Sequence, residues 1–266
     1  MTIIFDGRQF TAGKEKFLKK EVKRLLARGV HPKLASIIVG DDPASKLYVN
    51  LKKKAAQRIG AELEVRSRKS EVGYRSLIGE IRRLNGDKTI YGIMVQLPLP
   101  LNIRHHTLDI INSIQSNKDV DGLRKDSIYV HPTAKAVLQI IKFAGPRCPA
   151  AVCVVGATGM VGTPLVRELR KKGYKVIGCN SKTKDLKSET LKADILVSAT
   201  GSPGIISADM VKEGAVVIDV GSPRGDVDPS IGIKASFITP VPGGVGPVTI
   251  SCLLENLLDA CYTGSL

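Results

Sequence analysis

The sequence has no tryptophan, few aromatic residues of any kind (4%) and no long apolar run. Its apolar runs fall short of the roughly 18 residues that span a bilayer, and Asp6 and Arg8 interrupt the N-terminus where a signal peptide needs an apolar stretch. We therefore expect no membrane partner and a cytoplasmic location. The scarcity of aromatic residues in the basic stretches also argues against a surface that stacks on nucleic-acid bases.

The cysteines are odd in number, confined to the second half of the chain and without Cys-x-x-Cys spacing. This pattern predicts neither a disulfide framework nor a zinc site, so we expect no bound metal. We interpret all five as small buried thiols: Cys148, Cys153, Cys179, Cys252 and Cys261.

Acidic residues are in deficit, with 25 against 40 basic residues and a net charge of +15. Residues 1–146 hold 27 basic and 14 acidic residues, a net +13, whereas residues 147–266 carry only +2. A basic excess by itself invites a nucleic-acid interpretation. Its confinement to the first half indicates that the two halves meet different partners.

The 266 residues suffice for one large or two modest domains, and short apolar runs alternate with amphipathic segments along the whole chain. This alternation is typical of an α/β fold with largely parallel sheets. We place the domain boundary near 130–148, where prolines and glycines cluster. The predicted strands are Leu34–Val39, Glu62–Arg66, Ile90–Val95, Val152–Val155, Lys175–Cys179, Asp194–Ala199, Ala215–Val220 and Ser236–Thr239.

Helices are predicted between these strands, at 14–28, from Asp42-Pro43 to Ile59, near 74–84, at 163–172 and from 250 to 261. In the first of them, one apolar face is expected to be buried: Phe17, Leu18, Val22, Leu25 and Leu26. The last helix carries apolar residues at helical spacing and must bury one face on another element.

A glycine-rich turn, GATGMVG at 156–162, lies between a predicted strand and a predicted helix. Glycines there allow a tight turn, and backbone N–H groups at a helix N-terminus attract a pyrophosphate. The spacing differs from the usual G-x-G-x-x-G, so a purely structural glycine turn is the alternative to dinucleotide binding.

The segment after the next strand indicates the choice of cofactor. NAD enzymes usually place a carboxylate there for the ribose hydroxyls. Residues 180–184 (NSKTK) contain no carboxylate but offer a hydroxyl and two lysines, which favours NADP over NAD. A solvated basic loop is the competing interpretation.

Tyr48 and Lys52 stand four residues apart and therefore share one face of a predicted helix. A phenol beside an amine can position a substrate and move protons, and burial together with the adjacent charges of Lys53 and Lys54 would lower the pKa of Lys52. The alternative is that the lysine run is a solvated face. The Tyr-x-x-x-Lys of short-chain dehydrogenases follows the glycine turn, whereas this one precedes it.

Three further segments are candidate site elements. Gln96 follows an apolar strand, at the end where open α/β sheets bind ligands. The segment KDVDG at 118–122 offers two carboxylates, and Thr239–Thr249 is too rich in proline and glycine for regular structure, which suggests a loop that presents backbone groups to a ligand. A strand end or a simple turn is the alternative for the first two.

Together these segments resemble the bifunctional methylenetetrahydrofolate dehydrogenase/cyclohydrolase family. The resemblance spans nearly the whole chain in family order, through GDDPAS at 40–45 with Tyr48 and Lys52, VQLPLP at 95–100, KDVDG at 118–122, DVG at 219–221 and the loop 239–249.

The resemblance implies a role for each matching residue. Lys52 corresponds to the lysine that handles protons in the cyclohydrolase step and Gln96 to its hydrogen-bonding partner. Tyr48 corresponds to the aromatic residue on the folate and Asp121 to the carboxylate that binds the pterin. The remaining correspondences are Pro242 and Gly243 with folate contacts, Gly156, Ala157 and Thr158 with the phosphate-binding turn, Ser181 with the adenosine ribose and Ser222 with the nicotinamide.

The resemblance also implies two α/β domains, a folate-binding catalytic domain (1–133 with 250–266) and a Rossmann-like NADP-binding domain (134–249). The last helix would pack back on the first domain, and two chains would form a homodimer through the cofactor domain. Folate would be the substrate and NADP the cofactor. Because folates carry a glutamate tail and NADP carries phosphates, a basic first half suits them without any nucleic acid.

The chain departs from the family pattern on the cofactor side. Ala157 and Thr158 replace a frequent arginine and serine, Ser222-Pro223 stands where Ile-Asn is usual, and residues 130–136 keep Thr133 but little else of the family motif. These changes leave NAD and the loss of one of the two activities as alternatives. The basic charge leaves a nucleic-acid-binding protein that kept the fold as a further alternative.

Overall fold

The computed structural model describes residues 1–145 and 150–264. Strands and helices alternate through most of the chain, with short 3₁₀ helices at Arg104–His106, Ala208–Met210 and Pro229–Ile233. The strands are β1 (Ile3–Ile4), β2 (Lys33–Val39), β3 (Glu62–Arg68), β4 (Gly92–Val95), β5 (Ala151–Val155), β6 (Lys175–Cys179), β7 (Ile195–Ser198), β8 (Val216–Asp219) and β9 (Phe237–Ile238). The helices are α1 (Gly7–Ala27), α2 (Pro43–Ile59), α3 (Tyr74–Gly86), α4 (Thr107–Asn112), α5 (Pro132–Ala144), α6 (Gly162–Lys171), α7 (Leu186–Leu191) and α8 (Val245–Thr263).

The chain divides into two compact units. The small-sheet unit comprises Ala12–Val130 and Ile250–Leu266, and the large-sheet unit comprises Met1–Thr11 and His131–Thr249. The first eleven residues therefore belong to the large-sheet unit rather than to the predicted domain 1–133. They belong there because β1 pairs in parallel with the distant strand β9, with Ile3 opposite Phe237.

In the small-sheet unit, three parallel strands lie in the order β3-β2-β4. Helix α2, which links β2 to β3, has strong end signals: the Asp42 carboxylate accepts a hydrogen bond from the Ser45 amide at 2.7 Å, and Gly60 ends the helix at φ 87°. One apolar core forms between α1, α2, the sheet and α8, and it includes Leu18, Leu34, Ile59, Met94, Leu254, Leu257 and Cys261. The last helix thus packs on the first domain, as predicted.

In the large-sheet unit, six parallel strands lie in the order β1-β9-β8-β7-β5-β6. The strand β5 is paired with β6 on one side and β7 on the other, and its carboxyl end leads into the glycine-rich turn. Parallel sheets of this kind bind ligands at the carboxyl ends of their strands. The predicted α/β architecture with parallel sheets is confirmed.

Several local predictions need correction. Helix α1 begins at Gly7 instead of residue 14, and Phe17 (62% exposed) and Leu26 (38% exposed) lie outside the buried face that holds Leu18, Val22 and Leu25. The buried stripe is narrower than the apolar composition suggested. The predicted loop 239–249 is helical from Val245 onward, because proline is tolerated in the first turn of a helix.

Four cysteines are buried, as expected: Cys153, Cys179, Cys252 and Cys261. The fifth, Cys148, and part of the predicted boundary at 146–149 lie outside the described residues. Among the described residues, no helix combines the length and the apolar character that a membrane crossing requires.

Candidate functional site

Lys52 and Gln96 form a direct pair in the small-sheet unit. Lys52 extends from the middle of α2, and its Nζ donates a hydrogen bond to the Gln96 Oε1 at 2.9 Å. Gln96 directly follows β4, where its backbone amide donates to the Ile37 carbonyl at 2.8 Å and so extends the sheet ladder. The sheet therefore fixes the residue that contacts the lysine.

The orientation of the Gln96 amide follows from its second hydrogen bond. Its Nε2 donates to the Leu97 carbonyl at 2.9 Å, which leaves only the oxygen to face Lys52. A carbonyl oxygen accepts a hydrogen bond from either the charged or the neutral amine and brings no negative charge. Gln96 can thus orient Lys52 without forcing it to remain charged.

Burial lowers the pKa of the Lys52 amine from its ordinary value, and the negative charge of Asp121 opposes this shift. The Met94 Sδ lies 3.9 Å from the Nζ and provides an apolar neighbour. A lysine with a lowered pKa can exist as a neutral base near neutral pH. Tyr48 lies one turn earlier on α2 and is half-buried.

The segment 118–122 is anchored from several sides. The Lys118 Nζ donates to three carbonyl oxygens at the C-terminal end of α3: Leu84 at 3.1 Å, Asn85 at 2.9 Å and Asp87 at 2.7 Å. From α8, the buried Asn256 Nδ2 donates to the Val120 carbonyl at 2.9 Å. These contacts hold the backbone on either side of Asp119 and beside Asp121. Sequence reasoning assigned no role to Lys118 or Asn256, because their partners are backbone atoms with no sequence signature.

We predict that Lys118→Met destabilises the protein by about 2 kcal/mol, because a cation that binds the C-terminal carbonyls of a helix is lost. Urea unfolding measures this loss. Lys88→Met, at an exposed position nearby, is the control, and equal results for both variants would contradict the anchoring role.

Asp119 is a buried carboxylic acid that the sequence reasoning left without a separate role. Its Oδ2 accepts a hydrogen bond from the Arg124 amide at 2.9 Å, whereas its buried Oδ1 has no partner among the described residues. Burial, with a smaller contribution from the charge of Asp121, raises the pKa of Asp119 to about 6. The folded protein therefore holds a proton between about pH 4 and 6 that the unfolded chain releases.

This shift makes a prediction about stability. As pH rises from about 4 to 6, the Asp119 carboxyl ionises in its buried position and stability falls. Asp119→Asn should therefore raise the free energy of unfolding by about 1 kcal/mol more at pH 8 than at pH 5. Urea unfolding at the two pH values measures this, with the exposed Asp126→Asn as control. The same gain at both pH values would show that the carboxyl has no raised pKa.

The glycine-rich turn follows β5 in the large-sheet unit, and α6 begins at Gly162. Gly156 adopts φ 86°, and a Cβ on Gly162 would lie only 2.1 Å from the Gly156 carbonyl oxygen. Thr158 and Met160 are exposed, and their amides have no acceptor within residues 1–145 and 150–264. Free N–H groups beside a helix N-terminus are a suitable environment for a pyrophosphate. Ala157 lies in the turn against Gly178 of β6.

The loop after β6 is a tight turn. The Asn180 amide donates to the Thr183 Oγ1 at 3.0 Å, and the Lys182 amide donates to the Asn180 Oδ1 at 2.9 Å, so that Ser181 and Lys182 are exposed. The nearest carboxylate in sequence, Asp185, caps α7 by accepting from the Ser188 amide. In the described part of the chain, Lys182 has no ion pair.

The remaining predicted site residues lie in the large-sheet unit. Pro242 is exposed and Gly243, at φ 107°, accepts a hydrogen bond from the Gly7 amide at 2.9 Å. Ser222 is exposed in the loop after β8. The structure thus brings Lys52 and Gln96 into contact, keeps Asp121 within electrostatic range of Lys52, and places the predicted cofactor residues in the other unit.

Comparison with known families gives matches over most of the chain. Residues 5–121 match the sequence model of the tetrahydrofolate dehydrogenase/cyclohydrolase catalytic domain, and residues 131–264 match that of the NAD(P)-binding domain of the same proteins. The bifunctional protein FolD of Exiguobacterium sp. is 39% identical over 99% of this chain and 100% of its own length. That of Moorella thermoacetica is 41% identical over 97% and 98%.

Solved structures give the same result. The bifunctional FolD methylenetetrahydrofolate dehydrogenase/cyclohydrolase of Campylobacter jejuni has a TM-score of 0.94 at 35% identity, with 99% of each chain covered. The Trypanosoma brucei enzyme, solved with NADP cofactor and an inhibitor, has a TM-score of 0.92 at 34% identity, over 99% of this chain and 98% of that one.

Proposed function

The chain belongs to the tetrahydrofolate dehydrogenase/cyclohydrolase family, and on this premise we propose that it interconverts one-carbon derivatives of tetrahydrofolate. The proposed reactions are oxidation of 5,10-methylenetetrahydrofolate with NADP⁺ and hydrolysis of the resulting 5,10-methenyl cation to 10-formyltetrahydrofolate. The observation that carries the proposal is the hydrogen bond between Lys52 and Gln96 at the carboxyl end of β4.

The hydrolytic step needs a proton acceptor and then a proton donor. Water adds its oxygen to the methenyl carbon while the neutral Lys52 amine takes one of its protons. The bond from that carbon to one ring nitrogen then breaks, and the nitrogen receives a proton from the lysine. The lysine, neutral again, accepts the proton of the added hydroxyl as the formyl group forms, and then releases that proton to solvent. The lowered pKa of Lys52 suits this cycle, and it also avoids a permanent cation beside a cationic substrate.

The oxidation step depends mainly on positioning. When bound, NADP⁺ accepts a hydride from the one-carbon bridge of the substrate. For this group we assign the phosphates to the turn of Gly156, Ala157 and Thr158, and the nicotinamide to the neighbourhood of Ser222. The two free amides of the turn and the absence of room for a Cβ on Gly162 support the first assignment.

We propose NADP rather than NAD because of the loop after β6. Ser181 and Lys182 are exposed there, and the carboxylate of Asp185 is already used as a helix cap. A 2′-phosphate would therefore meet a hydroxyl and a cation without a repelling charge. The Trypanosoma brucei relative carries NADP in its solved structure.

For the folate we propose four contact residues. Tyr48 would pack on the pterin, and Asp121 would accept hydrogen bonds from its nitrogen donors. Pro242 and Gly243 would also contact the folate. The family resemblance further implies a homodimer and a cytoplasmic location, which we include in the proposal. Size-exclusion chromatography with light scattering tests the dimer, and a monomer at micromolar concentration would refute it.

One assay tests the proposed function. The purified chain is mixed with 5,10-methylenetetrahydrofolate and either NADP⁺ or NAD⁺, and reduced nucleotide and methenyl absorbance are followed together. We expect reduction with NADP⁺, weaker reduction with NAD⁺, and only transient methenyl absorbance. Reduction with NAD⁺ alone would overturn the cofactor assignment.

A further inference from the structure

Two buried aspartates of the large-sheet unit, Asp219 and Asp226, have no part in the chemistry described above. They are 3% and 0% exposed, respectively. Asp219 ends β8, and Asp226 lies seven residues later, after the loop that contains Ser222. Within residues 1–145 and 150–264 neither forms an ion pair with a basic side chain, and both carboxylates are stabilised by hydrogen bonds from N–H and O–H donors.

The Asp219 carboxylate is enclosed by the loop that follows it. Its Oδ1 accepts hydrogen bonds from the amides of Gly221 at 2.8 Å and Asp226 at 3.0 Å, and its Oδ2 accepts from the Val227 amide at 3.0 Å. A Cβ on Gly225 would lie 2.4 Å from that Oδ2, so the loop packs too closely around the carboxylate to admit a side chain at this position. Both oxygens of Asp219 are therefore used as acceptors.

Asp226 joins this loop to the end of the neighbouring strand. Its Oδ2 alone accepts from the Ser198 Oγ at 2.9 Å, the Thr200 amide at 2.7 Å, the Thr200 Oγ1 at 2.9 Å and the Gly201 amide at 3.3 Å. The Oδ1 has no partner among the described residues. Asp226 thus ties the segment after β7 to the segment after β8 through a single oxygen.

These two segments border the phosphate-binding turn. The strands β5, β7 and β8 are neighbours in the sheet, so their carboxyl ends lie side by side. A Cβ on Gly156 would lie 2.4 Å from the Ala199 carbonyl oxygen, which shows that the turn abuts the segment that Asp226 holds. The two aspartates therefore hold the two loops after β7 and β8, and the first of these loops lies against the glycine-rich turn.

We propose that Asp219 and Asp226 are positioning residues for hydride transfer, because they fix the loops after β7 and β8 against the turn that holds the cofactor phosphates. This inference rests on the proposed dehydrogenase function. It assigns neither residue a contact with substrate. Their effect is on cofactor geometry, and displacement of a bound reactant by about 1 Å can cost on the order of 10²-fold in rate.

The different use of the oxygens predicts different tolerance to asparagine. At position 226, the amide oxygen of asparagine can accept the same four donors, and its NH₂ takes the place of the oxygen without a partner. At position 219 both oxygens accept hydrogen bonds, so the NH₂ group of asparagine must face a backbone N–H, and two donors then meet. Asp226→Asn should therefore restore what Asp226→Ala loses, whereas Asp219→Asn should be as impaired as Asp219→Ala.

The test measures both activities of each full-length variant. For Asp226→Ala we expect the Michaelis constant for NADP⁺ to rise about tenfold and the dehydrogenase kcat to fall at least tenfold, with cyclohydrolase kcat within about threefold of the original. The retained cyclohydrolase shows that the variant is folded. Asp228→Asn is the matched control. The Asp228 carboxylate also accepts a hydrogen bond from a backbone amide, that of Ser230, but it does not contact Asp219 or Asp226.

Hydrogen exchange provides a readout that does not require activity. The amides of Thr200, Gly201 and Val227 should exchange faster in the two alanine variants than in the original protein. Unchanged exchange, or unchanged dehydrogenase kinetics in Asp226→Ala, would overturn the inference, as would equal impairment in Asp226→Asn and Asp226→Ala. An original protein that reduces neither nucleotide would refute the proposed function, and the exchange data would still decide whether the aspartates hold the loops.

Discussion

Replacement of Lys52 by methionine is expected to lower the cyclohydrolase kcat by about 10³-fold or more, which is the range that general acid–base groups contribute. Methionine matches the length of the lysine stem but cannot take a proton from water or return one to the ring nitrogen. The hydrogen bond to the Gln96 Oε1 is also lost, which leaves that oxygen without its donor. The dehydrogenase step should fall much less, because it depends on positioning rather than on proton transfer.

The control for this variant is Lys53→Met. Lys53 is the next residue of α2 but is exposed. Its replacement therefore removes one positive charge from the same helix without changing the pair of Lys52 and Gln96. Methenyl hydrolysis, followed by the decay of its absorbance, should be nearly normal in the control. Near-normal hydrolysis in Lys52→Met would refute the role of this lysine.

Gly162→Ala is expected to raise the dissociation constant for NADP⁺ by about 10²-fold, a loss of the size that misplaced binding groups produce. The added methyl group would lie 2.1 Å from the Gly156 carbonyl oxygen and 2.8 Å from the Ala157 Cα. Because both atoms belong to the backbone, the turn itself must move. The free amides of the turn are then displaced.

Gly232→Ala is the matched control. Gly232 belongs to the same unit as Gly162, but a Cβ on Gly232 would meet no atom within 4 Å. The affinity for NADP⁺ can be measured by isothermal titration calorimetry, and cyclohydrolase activity reports whether the variant is folded. We expect Gly162→Ala to keep that activity, because Lys52 and Gln96 belong to the small-sheet unit. Normal NADP⁺ affinity in this variant would contradict the assignment of the turn.

The fold could largely be predicted because buried parallel strands leave strong local signals. Continuous apolar runs marked β2, β5, β7 and β8, and the Asp42-Pro43 and Gly60 signals marked the two ends of α2. The strand β1 could not be predicted, because two residues show no periodicity and their pairing partner, β9, lies more than 230 residues away. The start of α8 was hidden because its first turn contains a glycine and a proline.

The site was predictable to a similar extent. The spacing of Tyr48 and Lys52 and the position of Gln96 at a strand end were visible in the sequence, and the structure brings Lys52 and Gln96 into contact. Asp226 gave no signal, because its four donors come from residues 25 to 28 positions earlier in the chain. Hydrogen bonds of this kind depend on how one loop packs against another, and neither composition nor periodicity predicts that packing.

We propose that one chain carries both reactions, with the proton-transfer residues in the small-sheet unit and the nucleotide-binding turn in the large-sheet unit. The most direct measurement compares the original protein with Lys52→Met in a single reaction that contains 5,10-methylenetetrahydrofolate and NADP⁺. We predict that both form NADPH, and that methenyl absorbance decays in the original protein but accumulates in the variant. Failure of the original protein to reduce either NADP⁺ or NAD⁺ would contradict the account.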